Sequence, residues 1–173
     1  MLACLVYLLA NLSASHPEAT ATIVGAATSA TLNPSFEQQV LSLVNNRRAA
    51  GAVCGSQSMP AVAPLTLNQS LTNAARGHSI DMADKNYFSH TSADGRTFVN
   101  RIVAAGYSQY RALGENIAAG YSTPAGVMSG WMTSPGHCVN IMSANFREIG
   151  IGYAFNSLST YDHYWTQDFG RRF

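Results

Sequence analysis

Four residues have the types and neighbours to do chemistry together. They are His90 in Tyr87-Phe88-Ser89-His90, Glu115 in Gly114-Glu115-Asn116-Ile117-Ala118, His137 in Ser134-Pro135-Gly136-His137-Cys138 and Glu148 in Arg147-Glu148-Ile149-Gly150. Two neutral imidazoles suit Zn²⁺ or another borderline divalent cation, with open positions left for water. Two carboxylates beside them can orient the ring N–H groups, hold that water, or serve as general bases. Spacing by itself identifies no site, because residues spread from 90 to 148 match no local metal motif. The competing expectation is a polar network that pins helices to strands and takes no ligand.

Other residues carry weaker signals. His78 shares a helical face with Leu71 and Met82 and is expected to be a hydrogen-bonded core histidine. Trp131 and Trp165 are expected in the core. Ser89 and Ser134 sit near the two histidines in sequence, but no nucleophile–base geometry can be read from one chain. Asp168-Phe169-Gly170 matches a kinase metal-binding tripeptide, yet no glycine-rich phosphate loop accompanies it, and the match is discarded. Asn68-Gln69-Ser70 fits a glycosylation acceptor, relevant only in a host that glycosylates exported proteins.

The elements that must position these residues read as helices first and strands late. Pro34, with Ser35 and Gln38 as a capping box, opens a helix carried by Phe36, Val40, Leu43 and Val44 and ended by Gly51. Residues 54–64 read as loop. A second helix starts near Asn68, with Leu71, Ala75, His78 and Met82 on one face. A short helix covers 98–105, closed by Gly106. Thr123-Pro124 and Ser134-Pro135 each pair an N-cap with a first-turn proline, so two more helices start at 124 and 135. Strand-like runs cover 115–119, 149–155 and 161–169, the last two joined as a hairpin. This order has no regular βαβ alternation and predicts an α+β layered domain.

Composition bounds what the chain can be. Its 173 residues suffice for one domain with its own core, and 47% apolar residues exclude disorder over most of the length. The formal net charge of +1 and the absence of any basic cluster beyond Arg47-Arg48 and Arg171-Arg172 exclude nucleic acid as a partner. Those pairs read as solvated charges on a helix and near a terminus. Met1 to Ala10 is too short to span a bilayer but resembles the apolar core of a secretory signal, although a basic n-region is absent, since no Lys or Arg precedes Arg47. Residues 1–15 are therefore expected to be a signal segment and 16–32 a flexible linker, with the ordered domain over 33–171. Lipidation of Cys4 is poorly supported, because the apolar run follows that residue. Removal of Cys4 with the leader leaves Cys54 and Cys138, which fit a disulfide in an exported protein or two buried thiols.

The motifs around the four polar residues, together with His78-Ser79-Ile80-Asp81-Met82-Ala83 and Tyr164-Trp165-Thr166-Gln167-Asp168-Phe169-Gly170, resemble the CAP family. That family groups cysteine-rich secretory proteins, antigen 5 and pathogenesis-related 1, and the motifs occur in its order over about residues 35 to 170, closest to its bacterial secreted branch. The resemblance implies a three-layer α/β/α sandwich with a central three-stranded antiparallel sheet. It implies one cleft holding His90 and His137 as metal ligands, with Glu115 and Glu148 orienting them or a water. It also favours a Cys54–Cys138 bridge, closing a loop of about 85 residues and stabilising by roughly 4–5 kcal/mol.

Two function classes follow. The first is a secreted or periplasmic, monomeric binding module whose cleft holds a lipid or sterol, peptide, glycan or protein ligand. The second is a metal-assisted hydrolase, with Glu115 or Glu148 as general base beside a bound ion. The diversity of roles hosted by one fold favours the first.

Overall fold

A computed structural model of the chain describes residues 29–173. The expected signal segment and the linker up to residue 28 lie outside the described residues. The helices are α1 (Pro34–Ala50), α2 (Gln69–Asp84), α3 (Phe98–Ala104), α4 (Pro124–Thr133) and α5 (Pro135–Met142). The strands are β1 (Ala52–Cys54), β2 (Gln57–Met59), β3 (Thr66–Leu67), β4 (Tyr110–Ala119), β5 (Glu148–Phe155) and β6 (His163–Arg172).

The main sheet runs in the order β3-β5-β6-β4, so β4 is an edge strand. Three antiparallel strands form its body, as the resemblance implies. A fourth, β3, adds a short parallel pairing of Thr66 and Leu67 with Glu148 and Ile149. Helix α2 covers one face and is joined there by α3. It lies so close that a Cβ on Gly150 or Gly152 would stand 2.0 Å or 2.3 Å from backbone atoms of Leu71 or Ala75. The opposite face carries the larger core, in which Val40, Val44, Trp131, Ile141 and Met142 pack on Ile149, Ile151, Trp165 and Phe169. Glu37 of α1 pairs with Arg76 of α2 and ties the two helical layers together.

Several expectations are corrected. Order begins before Asn33: the Ala30 N–H donates to Asp84 Oδ1 at 2.7 Å, and Thr31 forms an antiparallel bridge with Phe155. Asn33, not Ser35, caps α1, its side chain accepting the Phe36 N–H at 3.2 Å. The segment read as loop after Cys54 holds β2, which pairs with β1 in a small separate hairpin. Ser134 stands at the start of α5 but makes no side-chain capping bond, whereas Thr123 does cap α4. Arg48 is not solvated. It is fully buried, donates to the carbonyls of Ala63, Ile141 and Ser143, and burial lowers its pKa to about 10. Its task is to satisfy carbonyls left open where α5 ends.

Candidate functional site

The site is built on two consecutive residues of the edge strand. Side chains alternate along a strand, so Glu115 and Asn116 leave β4 on opposite faces. Glu115 points to the face covered by α2 and α3. Its Oε1 accepts the Nδ1–H of His90 at 2.7 Å, and its Oε2 accepts from Arg101 Nη2 at 2.5 Å. Arg101, on α3, also donates to the carbonyl of His90 at 3.0 Å. One guanidinium therefore holds both the backbone and, through Glu115, the ring of that histidine.

Asn116 points to the other face. Its Nδ2 donates to the His137 carbonyl at 3.2 Å and to Gln167 Oε1 at 3.1 Å, while its Oδ1 accepts from Asn140 Nδ2 at 2.9 Å. The first turns of α5 are thereby docked on β4, which carries His137 to the strand's edge. The Cys54–Cys138 disulfide, with Cα atoms 5.4 Å apart, fastens the same helix to the β1–β2 hairpin.

His90 and His137 meet across a cleft of about 440 Å³ whose other walls are Phe88, Ser89 and Ile117. The His90 side chain is 54% exposed and Glu115 almost wholly buried, so the ring opens to the cleft while its anchor does not. With Nδ1–H committed to Glu115, Nε2 is the free nitrogen, able to accept a hydrogen bond or a proton. Burial, with a smaller contribution from His90, lowers the pKa of His137 and favours its neutral form. The cleft continues into an apolar groove of about 270 Å³ bordered by Phe88, Ile117, Tyr121 and Trp131. Phe88, 44% exposed, packs edge-to-face on Tyr161 at 6.0 Å.

Glu148 is placed apart from the other three. It opens β5, two strands from β4, where Asn68 Nδ2 donates to its Oε1 at 2.7 Å and the Tyr107 hydroxyl to its Oε2 at 2.5 Å. Asn68 caps α2 with its other side-chain atom, so Glu148 anchors the start of that helix. Among the described residues no three His, Cys, Asp or Glu side chains gather as a metal-ligand set. Two imidazoles are fewer than the three protein ligands of a catalytic zinc centre. The donor set does not fit a zinc centre built by the protein alone.

His78 is fully buried on α2 and donates Nε2–H to the Ser89 carbonyl at 2.9 Å, so it supports the His90 loop from behind. Desolvation lowers its pKa to about 4. Sequence reasoning missed Arg101, Asn116 and Asn140. Asn116 had a signal, its place beside Glu115 on a strand; Arg101 had none, because only the docking of α3 brings it to Glu115.

Comparison with known proteins agrees with this architecture. The model of the CAP cysteine-rich secretory protein family matches residues 41–169. The uncharacterized protein YkwD of Bacillus subtilis (strain 168) is 37% identical over 158 residues, covering 91% of this chain and 56% of its own length. The uncharacterized membrane protein YlbC of the same organism is 30% identical over 136 residues, covering 79% of this chain and 34% of its own. The chain thus spans about half or less of the curated relatives it matches. A solved extracellular protein containing an SCP domain from Bacillus anthracis str. Ames superposes with a TM-score of 0.66 at 31% identity, over 80% of this chain and 41% of that one. An outer surface protein from Borrelia burgdorferi shares the fold, with a TM-score of 0.64 at 17% identity over 83% of this chain and 99% of that one.

Proposed function

The chain belongs to the cysteine-rich secretory protein (CAP) family, and on that premise we propose that it works outside the cytoplasm as a binding module. Its ligand has a polar head, received by His90 and His137, and an apolar part lying along Phe88, Tyr121 and Trp131. The extracellular and outer-surface relatives support the location. The observation that carries the binding role is the continuity of a two-histidine cleft with an aromatic groove, a concave apolar site with few polar groups. Of the ligand classes the cleft admits, a lipid or an apolar peptide suits the groove better than a glycan, which needs more hydrogen-bonding groups along its length.

The test is calorimetric titration of the oxidised protein with a long-chain fatty acid, a sterol, an apolar peptide and an oligosaccharide. The His90→Ala/His137→Ala and Phe88→Ser/Tyr121→Ala variants are titrated alongside. Binding of the fatty acid, sterol or peptide that both double variants weaken supports the proposal. No binding by wild type, or binding that neither variant changes, counts against it.

A second reading is hydrolysis, favoured by the Glu115–His90 contact, which leaves Nε2 as a base oriented toward the cleft. Turnover of ester or peptide substrates, abolished by His90→Ala with folding intact, would move the balance to this reading.

A further inference from the structure

Asp168 lies directly opposite Glu115 in the β4–β6 pairing. Paired residues on neighbouring strands project to the same face, so the register sets the two carboxyl groups side by side. Asp168 is fully buried, and among the described residues no N–H or hydroxyl donates to either of its oxygens. Glu115 is served differently, with His90 on one oxygen and Arg101 on the other. A single guanidinium thus accompanies two buried carboxyls, and adjacent carboxylates resist ionising together. The shared proton belongs on the partner that has no other donor.

The charged and titratable groups around Asp168 agree. Glu115 faces it from β4, Arg101 comes from α3, and β5 offers only Gly150 at the paired position. His78, on the buried face of α2, lies in the field of the same Arg101 and Glu115 and is kept neutral by burial. Desolvation, then the Glu115 charge, hold the Asp168 carboxyl well above the usual carboxylate range.

We propose that Asp168 is a neutral carboxylic acid whose O–H donates to Glu115, completing an Asp168–Glu115–His90 chain that fixes the orientation of the cleft histidine. Asp168 is then a positioning residue, acting on His90 through Glu115. Asparagine can replace it, because its amide still donates, whereas leucine cannot.

The decisive experiment is infrared spectroscopy of protein labelled with ¹³C-carboxyl aspartate at neutral pH, needing no mutation. A carbonyl band of a neutral carboxylic acid, shifted by the label and by deuterium, is expected. Its absence overturns the proposal, whatever the variants do. Asp168→Asn should remove the band and keep the His90 ring ¹⁵N shifts of wild type, while Asp168→Leu should change them. Raising a folded-state pKa makes an acidic group lose stability as pH rises above its unfolded value, ~4. The melting temperature of Asp168→Asn relative to wild type should therefore climb as pH rises toward 9. A relative melting temperature that is flat or falls over that range also overturns the proposal.

Discussion

Glu115 and Asn116, neighbours on β4, hold the two cleft histidines from opposite faces of the sheet: one grips the His90 ring at 2.7 Å, the other the His137 carbonyl at 3.2 Å. The cleft lies over the edge of the strand because its two walls are fastened to alternate side chains of that strand. Elements as distant in sequence as the loop after α2 and the helix α5 are thereby brought into one site.

The Glu115–Arg101 pair should be expensive to break from one side. Both side chains are nearly inaccessible, at 1% and 4% exposure, so removing either partner leaves a buried charge. Glu115→Ala or Arg101→Ala is expected to cost about 3–5 kcal/mol in urea unfolding. The Glu115→Leu/Arg101→Met double variant should recover part of that loss. Additive losses in the double variant would show that the pair is not the source of the cost.

The disulfide joins the hairpin to the helix that carries His137, with a sequence separation of 84. Replacing Cys54 and Cys138 by serine should lower stability by about 4–5 kcal/mol, as loop-closure entropy predicts. Because Cys138 adjoins His137, the ring resonances of His137 should move more than those of His90. An unchanged melting temperature, after both thiols are shown to be free, would refute the stabilising role.

His78 sets an acid limit. Its folded-state pKa of about 4 lies below the ordinary 6.5, so the unfolded chain takes up the extra proton first. Its contribution is complete above about pH 6.5 and is lost as pH falls toward 4, roughly 3 kcal/mol across that window. His78→Gln, which can still donate to Ser89, should flatten the stability curve there. An unchanged curve would place the acid sensitivity elsewhere.

Gly152 and Gly77 make a contrasting pair. A Cβ on Gly152 would meet the backbone of Ala75 at 2.3 Å, whereas nothing lies within 4 Å of one on Gly77 in α2. Gly152→Ala should push α2 off the sheet and cost about 3 kcal/mol or more, since backbone cannot yield as a side chain does. Gly77→Ala should raise stability by ~1 kcal/mol through helix propensity. Thermal unfolding of the two single variants measures both.

Five helices and the three long strands were legible in the sequence, because their signals are local: apolar periodicity in α2, threonine and proline at the start of α4, alternating runs in β5 and β6. The short strands β2 and β3 were not, since two or three residues carry no period and exist only through their partners. Asn33 was passed over as the cap of α1 because Ser35 and Gln38 fit the same rule one turn fragment later. Asp168 stood in a misleading tripeptide and in the closing family motif, but nothing in the chain announces the strand register that sets it against Glu115.

The sequence alone determined the family, the layered α+β class, the candidate histidines and the cysteine pair, all carried by residue identity and short-range spacing. Tertiary structure alone decided which of the four polar residues share a cleft. Strand order separates Glu148 from β4 by one intervening strand and gives it to Asn68 and Tyr107. Side-chain alternation on the edge strand, together with the docking of α3 and α5, gathers His90, Glu115, Arg101 and His137. Charge, burial and hydrogen-bond partnership are properties of that arrangement, and no single stretch of chain contains them.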